Sequence, residues 1–350
     1  MSSTTNTITL AQRWADLERG GKGVRIRDAA EQLGCSEAEL LASIQERPDL
    51  RLDYAVTRLG ADDLRPLFAE IPKLGRVMAL TRNEAVVSET YGEYGEIDLH
   101  ANTAVVHTEG IDLRVDFTHW RHAFAVTMKR PRGELRGLHF FDADGTAVHK
   151  VYLTDDSDHA AYDEACARFA APAGEPIGPH ALEVAEVDPE TLRDAWRAVG
   201  NVHRFQAMLA RLKVNRLAAL RAVGTEFARP AAADSHRTVL EGARDGGIPI
   251  MVFVRSPGCT QIHTGPVRKL ARADEYFNVF DPDFHLHVRE PRLAEAWLVR
   301  KPVAEDTVTS IEIYTAAGDL ALQLFGVRDE AGKEDPRWHS LAESCAAKLP

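Results

Sequence analysis

The sequence predicts an α+β protein made of two structurally repeated halves, each with a large antiparallel sheet and flanking helices. Three observations predict this fold class: blocks of sequence that recur along the chain, strand-like alternation around turn signals, and helix-like apolar spacing in the segments between them. The halves are predicted at residues 1–175 and 176–350, because Ala/Pro/Gly-rich sequence at 170–180 marks a junction there.

Three blocks recur in the same order. The segment GRVMALTRN (75–83) resembles IPIMVFVRS (248–256), which aligns Arg82 with Arg255 at an offset of 173 residues. VTMKRP (126–131) resembles WLVRKP (297–302) at an offset of 171 residues. LHFFDADGTAVHKVYL (138–153) resembles IEIYTAAGDLALQLFG (311–326), again at 173. Matches in one order at nearly one offset indicate an internal duplication.

The repeated blocks alternate apolar and polar residues, as strands do. In FFDADGTAV an Asp-Gly turn signal separates two apolar runs and predicts a hairpin, and the second copy keeps the glycine as Gly318. Ser36 and Glu39 form a capping-box pattern within one of the helical stretches. Helices are predicted over 11–20, 27–45, 159–171 and 189–223, the last as a short helix followed by a long one over 202–223.

Composition limits the function classes. The chain of 350 residues has a formal net charge of −11, which opposes bulk binding to nucleic acid or to an anionic membrane but permits a local basic pocket. No apolar run approaches the length of a membrane span, and the first residues lack the features of a secretory signal, so we expect a cytoplasmic protein without membrane insertion. Four scattered cysteines without a C-x-x-C pair oppose a structural zinc site or a disulfide framework.

The segment RDAAEQLGCSEAELL (27–41) resembles a helix-turn-helix with Gly34 at the turn. It is the basis of an alternative hypothesis, a DNA-binding regulatory protein. Acidic residues outnumber basic ones there, whereas a recognition helix needs positive charge and side chains that read bases.

Two histidine pairs also qualify as metal ligands. His285 and His287 alternate along a predicted strand, so both imidazoles lie on one face. No third ligand is evident in the nearby sequence, and a solvated strand face is the favoured explanation of the pair. His119 and His122 form a second such pair of possible metal ligands, and the same reservations apply to it.

The long helix predicted over 202–223 contains His203 and Arg216, which suit a haem ligand in different ways. A neutral imidazole binds haem iron, and a guanidinium can hold a propionate carboxylate through two hydrogen bonds. On one continuous helix the two side chains would not share a narrow stripe, because about 100° per residue places Arg216 far around the helix from His203. They can meet one ligand only along the edge of a large flat molecule, or if the helix is broken.

Stretches along nearly the whole chain resemble the HemS/ChuS/HmuS/PhuS family of cytoplasmic haem-binding and haem-degrading proteins. This resemblance implies two α+β halves related by a pseudo-twofold axis, with haem held mainly by the second half. The matching stretches are RVMALTRNEAVVSETYGEYG (76–95), FAVTMKRPRGELRGLHFFDADGTAVHKVYL (124–153), VHRFQAMLARLKVNRLAAL (202–220), IPIMVFVRSPGCTQIHTGPV (248–267), FNVFDPDFHLHVRE (277–290), AEAWLVRKP (294–302) and LQLFGVR (322–328).

The resemblance also implies which residues contact haem. His203 is the implied ligand of the haem iron, in the motif VHRFQAML. Leu322 stands where family members can have a tyrosine, so no phenol is expected there. The other implied contacts are Arg216, the strand aromatic Phe253, Lys301 of VRKP, Gln323 and Arg328 from the second half, and Arg114 from the first half as the distal group.

These residues have plainer interpretations as well. An aromatic side chain in an apolar strand, such as Phe253, belongs to the core by default. Lys301 and Arg328 can be solvated strand ends, and Gln323 on an alternating strand can face solvent. The recurrence of Arg82 and Arg255 reflects the duplication. It does not show whether these arginines belong to a binding site or are structural.

The implied function is haem binding for haem utilisation and iron acquisition. The protein would deliver haem to a degrading enzyme, degrade it oxidatively with an external electron donor, or both. We expect one haem, because the VHRF motif occurs once. The candidate partners are a haem oxygenase and a component of a haem importer; no nucleotide-binding fingerprint is present, so electrons would come from outside the chain.

Overall fold

The computed structural model describes residues 8–20, 24–50, 52–60, 63–131, 133–172, 177–178, 188–201, 204–303 and 306–346. The predicted junction at residue 175 and the predicted iron ligand His203 lie outside the described residues. The described α-helices are α1 (Leu10–Gly20), α2 (Ile26–Leu33), α3 (Glu37–Gln45), α4 (Arg65–Phe68), α5 (His159–Phe169), α6 (Pro189–Arg197), α7 (Phe205–Arg211), α8 (Arg216–Val223), α9 (Ser235–Gly246) and α10 (Pro336–Cys345).

Strands make up most of the remaining structure. They are β1 (Tyr54–Leu59), β2 (Gly75–Arg82), β3 (Val86–Gly92), β4 (Ile97–Leu99), β5 (Thr103–His107), β6 (Asp112–Asp116), β7 (His122–Arg130), β8 (Gly133–Phe141), β9 (Ala147–Ser157), β10 (Ala228–Ala231), β11 (Ile250–Ser256), β12 (Cys259–Gly265), β13 (Leu270–Ala273), β14 (Tyr276–Asp281), β15 (Phe284–Arg289), β16 (Leu293–Val303), β17 (Asp306–Thr315) and β18 (Leu320–Gly326).

The first compact unit, unit 1, comprises Met1–Thr81, Tyr91–His180 and Ser256–Cys259. Its main sheet has the antiparallel order β1-β7-β8-β9-β2, and β4, β5 and β6 are three further strands paired antiparallel in that order. Helices α1–α3 bury Trp14 and Leu40 against Phe124 and Phe141 of the main sheet, whereas Phe68 belongs to a second apolar cluster. Both apolar clusters lie in the interior of this unit.

The second compact unit, unit 2, comprises Arg82–Thr90, Ala181–Arg255 and Thr260–Pro350. Its main sheet has the strand order β10-β16-β17-β18-β11-β12, antiparallel from β10 to β11, and a second group of antiparallel strands has the order β3-β15-β14-β13. Trp338 of α10 and Val239 of α9 belong to one apolar cluster. Trp196 of α6 and Phe205 of α7 belong to another, which also contains Tyr314 of the main sheet.

The strand order confirms the predicted fold class of two repeated α+β halves. The order β1-β7-β8-β9-β2 recurs nine strands later as β10-β16-β17-β18-β11, and β4-β5-β6 recurs as β13-β14-β15. The predicted hairpins are present in both copies. Gly145 and Gly318 occupy their turns with φ of 78° and 88°, a left-handed conformation that favours glycine.

The prediction of one long helix over 202–223 is wrong. Helix α7 ends at Arg211 and α8 begins at Arg216. Lys213 adopts a positive φ of 52°, and the Asn215 side chain accepts hydrogen bonds from the amides of Leu217 and Ala218. Asparagine is a preferred N-cap residue, so it starts a new helix where apolar periodicity suggested a continuous one. The angle calculated between His203 and Arg216 on a single helix therefore does not apply.

The helical stretch predicted over 27–45 consists of α2 and α3 with Gly34 between them at φ 69°. The predicted capping box is present: Ser36 accepts a hydrogen bond from the Glu39 amide, and the Glu39 side chain accepts one from the Ser36 amide. No helix among the described residues is both long and apolar enough to cross a membrane.

Candidate functional site

The main sheet of unit 2 holds a fully buried carboxylate, that of Glu312 on β17. One of its oxygens, Oε1, accepts hydrogen bonds from Lys301 Nζ at 2.8 Å and Gln323 Nε2 at 2.9 Å. The other, Oε2, accepts from Tyr314 Oη at 2.8 Å. Arg216 donates to both oxygens, from Nε and Nη2, at 2.7 Å each. Three of the residues implied by the resemblance therefore converge on one carboxylate that the sequence analysis did not single out.

Strand register explains this convergence. Glu312 lies directly opposite Gln323 in the β17–β18 pair, and Gln323 lies opposite Phe253 in the β18–β11 pair. Residues directly opposite in antiparallel strands point to the same face of a sheet. Lys301 of β16 reaches that face too, since its Nζ also contacts Ser310 Oγ at 3.2 Å. Arg216, the first residue of α8, brings its guanidinium to this face from a helix.

Aromatic rings line the cations of this cluster. The Phe205 ring centroid is 4.7 Å from Arg216 Cζ and 5.0 Å from Lys301 Nζ. The Phe325 ring lies 5.1 Å from Lys301 Nζ and 4.8 Å, between centroids, from the ring of Phe253. Phe253 is half-buried. The arrangement thus combines cation–π contacts with a partly accessible apolar ring.

A third cation, Arg255 of β11, joins the cluster through Gln206. Its Nη1 lies 3.4 Å from Gln206 Oε1, which also accepts from Arg216 Nη1 at 3.3 Å. Arg255 Nε is buried and has no hydrogen-bond partner among the described residues. Among the described residues, the negative charge of the Glu312 carboxylate raises the pKa of Arg216, Arg255 and Lys301 alike. Three cations therefore face one carboxylate.

The excess of cations over carboxylates in this cluster determines the pKa values of its members. Burial alone would raise the pKa of the Glu312 carboxyl, but the charges and hydrogen bonds of Arg216 and Lys301 hold that pKa well below its usual range. Burial, with the positive charges of Arg216 and Arg255, lowers the pKa of Lys301 to about 8 even though Glu312 opposes the shift. The carboxylate is ionised, and the surplus charge of the cluster is positive, which suits an anionic ligand.

Two further described residues that the resemblance implies are Arg328 and Arg114. Arg328 lies beyond the end of β18, where its backbone bridges to Glu334, and none of the hydrogen bonds to Glu312 comes from it. Arg114 belongs to unit 1, where it lies on β6 and pairs with Asp112.

Two of the plainer interpretations are wrong. Lys301 is not a solvated strand end and Gln323 does not face solvent, because their exposed fractions are 2% and 1%. Both side chains point to the sheet face that α7 and α8 approach, and both hydrogen-bond to Glu312 there.

Glu312 and Tyr314 were not predicted from the sequence as site residues, and Arg255 had no predicted role. The available signal was the strand IEIY (311–314), in which an acidic residue alternates with isoleucines that belong to the core. An acid on the opposite face of such a strand needs a buried counter-charge if that face is also covered. The sequence does not show what covers it.

The corresponding positions of unit 1 are different. His139 and Lys150 lie opposite each other in the β8–β9 pair, at positions equivalent to Glu312 and Gln323 at an offset of 173 residues. The buried Lys150 ammonium pairs with the Glu37 carboxylate of α3. In unit 1 this cation is thus matched by a carboxylate, whereas the cluster in unit 2 has a cationic surplus.

Family comparison agrees with the duplication. The model of the haemin-degrading HemS/ChuX domain matches residues 34–169 and again residues 213–345. The chain belongs to the HemS/ChuX family. Each match to the HemS/ChuX domain contains one copy of the repeated sheet described above.

Relatives within the HemS/ChuX family match nearly the whole chain. The hemin transport protein HmuS of Yersinia pestis is 35% identical over 337 residues, covering 94% of this chain and 95% of that protein. The crystal structure of holo-PhuS, a heme-binding protein from Pseudomonas aeruginosa, is similar with a TM-score of 0.86 at 38% identity, covering 97% of this chain and 99% of that one. The heme-degrading enzyme ChuS of Escherichia coli O157:H7 has a TM-score of 0.89 at 32% identity, with the same coverage.

The alternative hypothesis of a DNA-binding protein gains no support from these HemS/ChuX relatives. Helix α3, the second helix of the helix-turn-helix-like segment, buries Ala38, Leu40 and Leu41. Its first turn carries Glu37, which is buried and paired with Lys150, and Glu39, which caps the helix with Ser36, so this turn offers no positive charge for phosphates.

Proposed function

We propose that this chain binds one haem through unit 2 and serves haem utilisation in the cytoplasm. The observation that carries the proposal is the cationic surplus of Arg216, Lys301 and Arg255 around Glu312, next to the half-buried ring of Phe253. Haem combines two anionic propionates with a flat apolar macrocycle, so its recognition needs basic groups beside an apolar surface.

Each residue of the cluster has its own part in this proposal. Arg255 offers a buried donor, Nε, that the described residues leave unpaired, and a propionate would satisfy it. Arg216 and Lys301 add positive charge while Glu312 holds them in place. Gln323 orients Glu312, and Phe253 contacts the macrocycle. His203 ligates the iron as a neutral imidazole, and Arg114 and Arg328 contribute further polar groups, as the family resemblance implies.

One haem per chain is expected. The repeat places His139 and Lys150 of unit 1 where unit 2 has Glu312 and Gln323, and Lys150 is already paired with Glu37. A second propionate site with the same surplus charge therefore has no basis at that position.

Binding would serve either delivery or degradation. Haem iron, when bound, would supply the oxidative chemistry, and the electrons would come from a donor outside the chain. The related HmuS is named for hemin transport and the related ChuS for heme degradation. We infer that the chain hands haem to a haem oxygenase, or receives it from an importer component, and that it can degrade haem when a reductant is present.

Titration of the purified chain with haemin tests the proposal. The Soret band should saturate at one haem per chain. Ascorbate added in air then separates degradation, in which the band disappears and iron is released, from carriage, in which the band persists. A linear titration without saturation, or two sites of equal affinity, would contradict the proposal.

A further inference from the structure

The second sheet of unit 2 contains a group of metal-binding side chains that the proposed haem function does not use. We propose that Glu89, His285 and His287 form a site for a divalent first-row transition metal. Each offers one ligand atom, and these three atoms all lie within 4.8 Å of one another. The proposal does not depend on haem binding.

Strand register brings the three side chains together. His285 lies directly opposite Glu89 in the β15–β3 pair, and His287 follows two residues later on the same face. On the other side of β15, Asn278 lies opposite His287 and Phe280 lies opposite His285 in the β14–β15 pair. All five side chains therefore share one face of the sheet.

Two of the three distances between the ligand atoms are close to those found around a metal. His285 Nδ1 is 3.4 Å from Glu89 Oε2, and His287 Nε2 is 3.9 Å from the same oxygen. Two ligands about 2.1 Å from a tetrahedral metal are about 3.4 Å apart. The first distance already has this value, and the second reaches it after a shift of about 0.5 Å.

Asn278 determines which nitrogen of His287 can bind. The Asn278 Nδ2 group donates to the carbonyls of Ala271 and Tyr276, each at 3.3 Å, so its Oδ1 is the atom 2.7 Å from His287 Nδ1. An amide oxygen only accepts, so Nδ1 carries the hydrogen, and in a neutral imidazole Nε2 then presents a lone pair. Metal-binding histidines are held by this kind of hydrogen bond.

The lone pair of His287 Nε2 faces the Glu89 carboxylate, which also carries only lone pairs. Two acceptors that face each other repel unless a donor or a cation lies between them, which is a bridging water, a proton on the imidazole or a metal. The 3.9 Å separation exceeds hydrogen-bond length, whereas a metal bound by both atoms spans such a gap.

The composition of the site selects the metal. Two imidazoles and one carboxylate suit Zn(II), Co(II) and Fe(II) better than Ca(II) or Mg(II), which take oxygen ligands. The three side chains are 20–28% exposed, so an ion can enter and water can fill an open coordination position. The Phe280 ring stands edge-on to both imidazoles at 5.5 Å and provides an apolar wall.

Titration of the haem-free, chelator-treated chain with Co(II) tests the site. We expect visible ligand-field bands that saturate at one Co(II) per chain and disappear when Zn(II) is added. Glu89→Gln and His287→Gln should each weaken Co(II) binding at least 10-fold, and Asn278→Leu should weaken it about 10-fold through loss of the hydrogen bond that orients His287. The matched control is His107→Ala, which removes an exposed imidazole that lies 3.2 Å from the Asp112 carboxylate.

The experiment has clear contrary outcomes. Unchanged Co(II) affinity in Glu89→Gln and His287→Gln, with circular dichroism melts like that of the parent chain, would overturn the proposal. Absence of saturable binding to the parent chain would overturn it too, and would mean that a proton or a water molecule bridges His287 and Glu89.

Discussion

Arg216 holds Glu312 through two parallel hydrogen bonds, from Nε to Oε2 and from Nη2 to Oε1, each 2.7 Å long. Glu312 is fully buried and Arg216 nearly so, with side-chain exposed fractions of 0% and 11%. The Arg216 guanidinium is therefore already committed to a carboxylate before any ligand arrives. A propionate would meet Arg216 as part of a positively charged cluster, and Arg255 offers the donor that is still unpaired.

Haem release should accelerate when any cation of the cluster is removed. Arg255→Ala, Arg216→Ala and Lys301→Ala should each cost roughly 1–3 kcal/mol of binding free energy, or about 5- to 150-fold in the dissociation rate, because each removes a positive charge near the propionates. Transfer of haem to an excess of apomyoglobin measures this rate. The control is Arg221→Ala, an exposed residue of the same helix as Arg216 that pairs with Glu295. Unchanged rates in all three variants would show that the propionates bind elsewhere.

Glu312→Gln should destabilise the fold strongly. The substitution keeps the shape of the side chain but leaves Arg216 and Lys301 as buried cations without their counter-charge. Breaking a buried ion pair from one side costs about 3–5 kcal/mol, which urea unfolding can measure. Glu295→Gln, in the exposed pair with Arg221, should cost less than about 1 kcal/mol. Equal losses in the two variants would contradict the role assigned to Glu312.

Lys301 should make haem affinity depend on pH. Its pKa in the folded chain is about 8, below the ordinary value of 10.5, so the ammonium loses its proton as pH rises through 8. Haem affinity should fall over that range, because a positive charge near the propionates disappears. Haem dissociation constants at pH 7, 8 and 9, compared between the parent chain and Lys301→Ala, isolate this contribution from changes in haem itself.

The effect of Lys301 on folding has the opposite sign. Between about pH 8 and 10.5 the unfolded chain keeps a proton that the folded chain has lost. Lys301 therefore increases the free energy of unfolding as pH rises through that window. This added stability is lost again as pH falls through 8. An identical pH dependence of stability in Lys301→Ala would contradict the lowered pKa.

His203→Ala should change the Soret and visible bands and accelerate haem loss. Among the proposed contacts, only His203 readily offers a nitrogen lone pair to iron near neutral pH. The effect should be graded, because the cationic cluster still holds the propionates. His159→Ala, an exposed histidine of α5, is the control. A spectrum like that of the parent chain in both oxidation states, with an unchanged transfer rate, would remove His203 as the ligand.

The two repeated turns should differ in their tolerance of alanine. Gly145 and Gly318 both have positive φ, so alanine costs about 1–2 kcal/mol at either. A Cβ at Gly145 would lie 2.2 Å from Ser36 Oγ, the N-cap of α3, whereas the nearest atom at Gly318 is Leu217 Cδ2 at 3.5 Å. Gly145→Ala should therefore lose about 1–3 kcal/mol more in thermal or urea unfolding. Equal losses would show that Ser36 moves aside freely.

The amino-acid sequence by itself determined the duplication, the α+β class, the hairpins at Gly145 and Gly318 and the capping box of Ser36 and Glu39. These features are set by local chemistry: strand alternation, residues that tolerate a left-handed turn, and side chains that cap a helix three residues away. The resemblance to a haem-binding family also pointed to Arg216, Lys301 and Gln323, which the fold brings to one carboxylate.

The tertiary structure decided what each side chain faces. Alternation shows that Glu312 lies on the face of the sheet opposite its isoleucine neighbours, but only the packing of α8 on that face supplies Arg216, 96 residues away in sequence. In the same way, only the pairing of β3 with β15 places Glu89 beside His285 and His287. Such contacts depend on which strands and helices become neighbours, and short-range sequence patterns do not carry that information, because it arises from the packing of the whole unit.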